Sequence, residues 1–288
     1  MEKRITGHTE LIGLIAKPIR HSISPELHNA GFRLLNLDYA YLAFEINQEA
    51  IADTIKGFKA LQIHGFNISM PYKTILMDYM DELSKEAKMI GAINTVVNDH
   101  GILKGYNTDG IGLMQALKNK GHDPKDKTII IVGCGGAATA ITIQAALDGA
   151  KKITIYNKKD AFYPNALKTK EKITKELDCI VEVKDLANLD ELKKDMHKAD
   201  IFINATNVGM KPNDGISYLP DESFFTPNTF VVDIIYNPKQ TKLLELASKA
   251  GCQFMNGLDM LIYQGAVAFK LWTGEDMPVE QVKKEINL

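Results

Sequence analysis

The chain has 288 residues, a length that at one to two hundred residues per domain favours two domains. Its 45% hydrophobic and 24% charged residues are those of an ordinary folded protein, which excludes the disordered, collagen-like and disulfide-scaffold classes. Thirty-four Lys and Arg against thirty-six Asp and Glu leave a net charge of −2, with no basic excess for nucleic-acid phosphates or an anionic membrane surface, so neither is an expected partner.

In chain order, residues 10–16, 39–44 and 63–69 are short apolar runs separated by amphipathic stretches at 25–35 and 51–61, which predicts β-α-β-α-β. A helix is predicted from Pro71, with Ile75, Leu76, Met80 and Leu83 on one face. A strand at 92–98 then meets the turn Asn98-Asp99-His100-Gly101 and returns as a hairpin through 102–106. The next helix runs from Ile111 to Gly121, a natural C-cap, and a polar linker at 122–127 leads into a strand at 128–132. From there strands at 152–156, 179–184, 201–204 and 230–235 alternate with helices at 138–149, 164–177 and 190–197, followed by helices at 239–250 and 258–273. This half reads as a doubly wound parallel sheet. The fold class is therefore α/β in two domains, an N-terminal α/β domain at 1–110 and a Rossmann-type domain at 111–257, with C-terminal helices at 258–288 returning to the first.

The three cysteines, Cys134, Cys179 and Cys252, stand far apart without a C-x-x-C pair, which speaks against a zinc knuckle or disulfide framework and for a reducing compartment. Residues 1–7 lack a long apolar run, and no stretch approaches the roughly 18 apolar residues of a membrane span. A cytoplasmic protein is expected.

Val132-Gly133-Cys134-Gly135-Gly136-Ala137-Ala138 fits G-x-G-x-x-A at the end of one apolar strand and the start of one Ala-rich helix. Gly133 allows the tight turn, Gly135 lets backbone approach a pyrophosphate, Ala138 permits close helix packing, and the helix N-terminus supplies partial positive charge. A merely structural glycine turn is the alternative. The second strand of this half ends at Asn157-Lys158-Lys159-Asp160, where an acidic residue would accept hydrogen bonds from the ribose of NAD. Lys158 and Lys159 would instead suit the 2′-phosphate of NADP, and a solvated loop explains all three charges without a cofactor. We expect use of both NAD and NADP, with NAD preferred.

His21-Ser22-Ile23-Ser24-Pro25 places two hydroxyls before a Pro at the start of a helix. Ser24 reads equally well as a plain N-cap. Ser22 has no evident structural duty, and with Ser24 and the helix N-terminus it offers a seat for a small carboxylate. Asn67-Ile68-Ser69-Met70-Pro71-Tyr72-Lys73 repeats the pattern and puts Lys73 in the first turn of the predicted helix, where the dipole disfavours a cation. A partly buried ammonium there would have its pKa pushed down toward neutrality, a shift that a partner carboxylate would oppose. Asp109, in Asn107-Thr108-Asp109-Gly110, is either an N-cap or a functional acid, and Asn94, in Gly91-Ala92-Ile93-Asn94-Thr95, either a turn residue or a ligand.

Taken together and in this order, H-S-x-S-P, N-I-S-x-P-x-K, G-A-x-N-T, N-T-D-G, G-x-G-G-A and the late N-A-T-x-x-G-M resemble the shikimate dehydrogenase family over nearly the whole chain. Asn157-Lys158-Lys159-Asp160, Asn207-Val208-Gly209-Met210-Lys211-Pro212, Tyr236-Asn237-Pro238 and Leu271-Trp272-Thr273-Gly274 are most similar to its quinate/shikimate dehydrogenase branch.

The resemblance implies an oxidoreductase of aromatic amino acid (chorismate) biosynthesis that interconverts 3-dehydroshikimate and shikimate, and 3-dehydroquinate and quinate, with NAD(P). By that similarity Lys73 and Asp109 form the catalytic pair, Lys73 relaying the proton of the ring oxygen and Asp109 orienting it. Ser22 and Ser24 would hold the substrate carboxylate, Ser69, Asn94 and Gln264 the ring hydroxyls or carboxylate, and Tyr236 would close on the carboxylate. The cofactor would lie against Gly133, Cys134, Gly135, Gly136 and Ala137, against Asn157, Lys158, Lys159 and Asp160, and against Asn207, Ile234, Ile235, Tyr236, Asn237 and Gly257. Three departures stand out: Ser69 replaces the usual Thr, Asn-Lys-Lys-Asp replaces the Asn-Arg-Thr of strict NADP members, and Asn207 replaces Ser or Lys. The first keeps its hydroxyl, and the others leave cofactor preference open.

No metal is expected, because the seven histidines include no H-E-x-x-H or other close ligand set, and no G-x-S-x-G elbow marks a hydrolase. His21, His28 and His64 read as structural or rim residues. The rival readings are a dehydrogenase of another cyclic hydroxy acid or of a folate, and an NAD-sensing regulator without turnover. The resemblance is compatible with a monomer or a homodimer.

Overall fold

The computed structural model describes residues 5–288; residues 1–4, part of the segment read above for a leader, lie outside the described residues. The chain forms two compact units, one holding the residues up to Thr108 together with Ile262–Leu288, the other Asp109–Leu261. Among the described residues no helix is long and apolar enough to cross a membrane.

The first unit is built on a six-stranded sheet of β1 (Glu10–Ala16), β2 (Tyr39–Glu45), β3 (Gly65–Ile68), β4 (Glu82–Leu83), β5 (Thr95–Asp99) and β6 (Ile102–Tyr106), in the order β2-β1-β3-β5-β6-β4. The three N-terminal strands run parallel because α1 (Ser24–Leu34) and α2 (Ile51–Ala60) carry the chain back between them. β5 then enters antiparallel to β3 and turns into β6 through His100 and Gly101, both at positive φ as a two-residue hairpin turn requires. The free edge at β2 is covered: the Asn29 side chain donates to Tyr41 O and accepts from Tyr41 N, each at 2.9 Å.

Residues 71–83 do not form the predicted helix. After β3 the chain makes irregular turns, a short 3-10 segment at Ile75–Tyr79, and β4; a separate helix, α3 (Lys85–Ile90), follows. One i to i+4 bond forms, from Leu76 N to Tyr72 O at 3.1 Å, but the next carbonyl, Lys73 O, accepts from Ile93 N at 2.9 Å instead, and the α-helical ladder stops there. The apolar residues instead serve the core over the sheet, where Leu76 joins Ile15, Ile55, Phe58 and Phe66. The dipole argument made for Lys73 therefore has no helix behind it. Ser84, whose hydroxyl accepts from Ala87 N, and Gly91 at positive φ bracket α3 and were its overlooked sequence signals.

The second unit contains β7 (Thr128–Val132), β8 (Lys152–Asn157), β9 (Ile180–Asp185), β10 (Ile201–Asn204), β11 (Phe230–Asp233) and β12 (Phe254–Met255), all parallel, in the order β12-β11-β10-β7-β8-β9. The central strands β7, β10 and β11 are almost wholly apolar and buried because helices cover the sheet, α4 (Asp109–Asn119), α5 (Gly136–Leu147), α6 (Tyr163–Glu176), α7 (Leu189–Met196) and α8 (Lys242–Lys249), whereas the edge strand β9 carries Glu182, Lys184 and Asp185. Strand order reverses between β7 and β10, the switch point beside which ligands of such sheets bind.

The last long helix, α9 (Leu258–Thr273), changes unit at Leu261/Ile262, so its first residues belong with the second unit rather than with a separate C-terminal segment. The remainder of α9 and α10 (Val279–Glu285) pack in the first unit. Trp272 fixes α9 there, its Nε1 donating to Val96 O at 2.9 Å, and Arg33 of α1 holds Glu285 of α10 through Nε at 2.9 Å. Trp272 is accommodated because residue 65 has no side chain: a Cβ at Gly65 would stand 2.6 Å from Val96 O and against the Trp272 indole. We expect Gly65→Ala to destabilise the protein by about 1–3 kcal/mol. The single tryptophan reports this unit, so urea unfolding followed by Trp272 fluorescence should give a lower midpoint, whereas an unchanged midpoint would contradict this packing.

Candidate functional site

In the first unit, three of the sequence-derived candidates, Ser24, Asn94 and Gln264, are joined by one buried hydrogen-bond network. Ser24 opens α1, and its hydroxyl donates to the phenol of Tyr41, a wholly buried residue of β2. Tyr41 Oη donates to Asn67 Oδ1 at 2.7 Å, and Asn67 Nδ2 donates to Asn94 O at 3.0 Å and to Thr95 Oγ1 at 2.9 Å. Thr95 Oγ1 passes the chain to Asn94 Oδ1 at 3.0 Å, and Asn94 Nδ2 donates to Thr108 Oγ1 at 2.9 Å and to Gln264 Oε1 at 3.4 Å. Donors and acceptors alternate in one direction from Ser24 to Gln264. Burial raises the Tyr41 phenol well above its ordinary pKa, so it stays a donor.

Tyr41, Asn67, Thr95 and Thr108 were missed as site residues. The signal was present for Asn67, a carboxamide between Phe66 and Ile68 in a buried strand, where a polar side chain must find partners. His28 packs beneath this network, stacked on Tyr41 at 4.5 Å with 14° between the rings. It is completely buried, and burial alone pulls its imidazole down to about 3, so it stays neutral.

The roles foreseen for the two serines are partly exchanged. Ser24 is not an N-cap, since the cap position is Ile23 and no side chain caps α1. Ser22 does have a local duty, its Oγ accepting from Ser24 N at 3.2 Å, which leaves its proton for an acceptor beyond. Ser69 follows β3 with its backbone tied to Ile15 O at 3.0 Å, and Lys73 lies half-buried in the turn four residues on.

In the second unit the glycine turn after β7 has the expected form. Gly133 has φ 114°, and a Cβ there would stand 2.7 Å from Ala205 O at the end of β10. Gly135 occupies the N-cap of α5 without a side-chain cap, both it and Gly136 are exposed, and a Cβ at either would meet no protein atom, so the first turn of α5 is uncapped and open on that side. Ala137 follows in the first turn of α5. Cys134 turns inward, its thiol donating to Phe162 O at 3.0 Å, and burial followed by the charge of Asp160 pushes that thiol up.

Residues 157–160 form a self-bonded turn beside it, with Gly133 N donating to Tyr156 O at 2.9 Å. Asp160 Oδ1 accepts from Asn157 Nδ2 at 3.1 Å and from Phe162 N at 2.9 Å, Lys159 approaches Asp185 at 3.6 Å, and Lys158 is exposed. Ile234 and Gly257 meet backbone to backbone, since a Cβ at Gly257 would fall onto the Ile234 carbonyl, and Gly257 N donates to Ile235 O at 3.0 Å. Asn207, Tyr236 and Asn237 are exposed on the loops that follow β10 and β11, and Asp109 is the first, half-buried residue of α4.

Those two loops are tied by Asp233, a residue sequence reasoning did not single out. Wholly buried at the end of β11, its carboxylate accepts from Asn204 Nδ2 at 3.0 Å, Ile235 N at 3.1 Å and Thr241 Oγ1 at 2.6 Å. Asn204 Oδ1 in turn accepts from Thr206 N and Thr206 Oγ1, at 3.1 and 2.7 Å.

A parallel sheet in this order, with an uncapped glycine turn at its switch point, defines a dinucleotide-binding α/β protein with a second α/β unit. Residues 14–96 match the family model of the shikimate dehydrogenase substrate binding domain, and residues 257–286 that of the shikimate 5'-dehydrogenase C-terminal domain. The chain is 52% identical over 282 residues to shikimate dehydrogenase (NADP(+)) of Listeria monocytogenes serotype 4b, covering 98% of this chain and 97% of the relative. The chain belongs to the shikimate dehydrogenase family. Its fold is that of the Listeria monocytogenes shikimate 5-dehydrogenase solved with shikimate and NAD, with a TM-score of 0.96, 52% identity and 99% of each chain covered. The quinate dehydrogenase from Corynebacterium glutamicum, solved with NAD, shares the fold at a TM-score of 0.86 and 26% identity, covering 97% of this chain and 99% of that one.

Burial pushes the Asp233 carboxyl up to about 6 from its ordinary 3.8, against its three hydrogen bonds, which favour the charged form. Burial, and after it the charge of Asp233, also raises the Tyr218 phenol. A raised folded pKa means the folded protein holds this proton more tightly than the unfolded chain. Its stabilising contribution is full below about pH 3.8 and is lost as pH rises through about 6. We expect wild type to lose stability relative to Asp233→Asn between pH 4 and pH 7, by an amount on the order of 3 kcal/mol, in urea midpoints. A difference independent of pH would contradict the buried carboxyl.

Proposed function

We propose that the protein is an NAD(P)-dependent oxidoreductase that interconverts shikimate and 3-dehydroshikimate, and also acts on quinate. The observation that carries the reading is the buried network that brings Ser24, Asn94 and Gln264, distant in sequence, into one set of neutral donors and acceptors. Hydroxyls and carboxamides are what a polyhydroxylated ring acid needs for recognition. The names of the relatives support the substrate, and the Corynebacterium neighbour supports quinate as a second one.

Residues 1–110 and the C-terminal helices supply the substrate groups, with Ser22 and Ser24 on the carboxylate and Ser69, Asn94 and Gln264 on the ring hydroxyls or carboxylate. Tyr236 adds its phenol to the carboxylate. Lys73 carries the proton to or from the ring oxygen whose carbon is oxidised or reduced, and Asp109 orients that oxygen's neighbour through a hydrogen bond. When bound, the nicotinamide gives or takes the hydride.

The uncapped first turn at Gly135 and Gly136 fits a pyrophosphate, with Gly133, Cys134 and Ala137 shaping the cradle. Asn157 through Asp160 flank the adenosine ribose, and Asn207, Ile234, Ile235, Tyr236, Asn237 and Gly257 flank the rest of the dinucleotide. NAD is the preferred cofactor: Asp160 holds a negative charge in the ribose turn, and Lys159 is turned toward Asp185, which leaves a 2′-phosphate poorly matched. A cytoplasmic location completes the reading.

Lys73→Ala should lower kcat for shikimate oxidation by a hundredfold or more with KM changed far less. A rise in KM with kcat intact would give Lys73 a binding role and refute its role in proton transfer.

A further inference from the structure

We propose that Tyr41 is a positioning residue for substrate recognition, its phenol satisfying the buried Asn67 carboxamide that braces Asn94 and bracing Ser24 at the other end. The inference rests on the reading of Asn94, Gln264 and Ser24 as substrate-binding groups and adds a residue that touches none of the reacting atoms.

A buried carboxamide needs a partner at both ends. Asn94 O can only accept, so Asn67 Nδ2 faces it and Thr95 Oγ1, which leaves the buried Oδ1 facing Tyr41, and the phenol, donating at 2.7 Å, is the donor that satisfies it. Thr95 Oγ1 accepts from Asn67 and donates to Asn94 Oδ1, which also accepts from Thr108 N at 2.8 Å, so that Asn94 Nδ2 faces Thr108 Oγ1 and Gln264. The inner members are buried, Tyr41, Thr95 and Thr108 completely, Asn94 and Asn67 at 3% and 6% exposure, with only Ser24 and Gln264 at the two ends half-buried, so water cannot substitute for a missing inner donor at little cost.

The ring of Tyr41 is itself fixed, stacked on His28 and bounded by Trp272 at 6.1 Å between centroids. Phenylalanine keeps these contacts and removes only the hydroxyl, so Tyr41→Phe isolates the relay. Without the donor, Asn67 Oδ1 is left buried and unpaired, and the bonds it sets against Asn94 O and Thr95 Oγ1, on which Asn94 rests, are weakened. The phenol lies in the first unit and touches no cofactor candidate, so nucleotide binding has no reason to respond.

The test is steady-state kinetics of Tyr41→Phe and Gln264→Ala beside wild type, with shikimate and the nicotinamide nucleotide varied in turn. Tyr41→Phe should raise KM for shikimate about tenfold or more, with kcat within a few-fold and KM for the nucleotide unchanged. If Gln264→Ala raises KM for shikimate and Tyr41→Phe does not, the positioning role is overturned while the substrate site stands. If Gln264→Ala leaves KM for shikimate unchanged, the reading of the substrate site fails and this role with it. Equal rises in both KM values for Tyr41→Phe would show a general loss of structure and overturn the proposal. Should Tyr41→Phe lose its native near-UV spectrum, Asn67→Ser cuts the same relay one bond further on, and the same split between the two KM values is required of it.

Discussion

A buried polar group has to be paired, and in this protein that requirement organises the first unit. Asn67 sits in the middle of a strand buried on both sides, and its three hydrogen bonds reach β2, the start of β5 and the turn before it. Parallel β2-β1-β3 pairing and the antiparallel entry of β5 must therefore fall in one register for the amide to be satisfied. The same bonds carry order outward to Ser24 of α1, Asn94 before β5, Thr108 before α4 and Gln264 of α9. The bonds that constrain the fold thus also join the residues proposed for recognition, and the apolar cores on either side of the sheet only have to fill the remaining volume.

The second unit meets the same demand at a charge. Asp233 is buried at the end of β11 and is tolerated because three donors converge on it, one each from the end of β10, the loop after β11 and the start of α8. That arrangement fixes the loops that hold Asn207 and Tyr236. The glycine turn after β7 needs no such network, since its geometry is set by sterics: residue 133 must take positive φ close to the Ala205 carbonyl, and α5 packs through Ala138 and Ala140, both fully buried. One unit thus presents side-chain donors arranged by a relay, and the other presents backbone donors arranged by glycine.

Much of this was legible in the sequence. Continuous β-branched runs such as Thr128–Val132 and alternating apolar helices gave the parallel sheet, because a strand covered on both faces has no polar side to confuse the reading. The segment at 71–83 misled because Leu76, Ile75 and Met80 recur at helical spacing, although the carbonyl at 73 is taken by Ile93 N, a partner no local pattern reveals. β12 and β4, two residues each, were too short to carry any period. Of the candidate site, the motif residues Ser22, Lys73, Asn94 and Gly133 stand out by type and position. Tyr41 and Asp233 do not, because a tyrosine in a strand and an aspartate before a turn are unremarkable until their buried partners are known.

The central claim is that the neutral donors of the first unit and the uncapped turn of the second serve one hydride transfer on a ring acid. It is tested most directly by initial rates of nucleotide reduction, read by absorbance at roughly 340 nm, the wavelength that follows from the nicotinamide itself, with shikimate and quinate each paired with NAD and NADP. The account predicts turnover of shikimate with both cofactors, a larger kcat/KM with NAD, and measurable turnover of quinate. Folded protein that binds NAD yet turns over neither acid with either cofactor would contradict it and leave the regulator or another cyclic hydroxy acid as the answer.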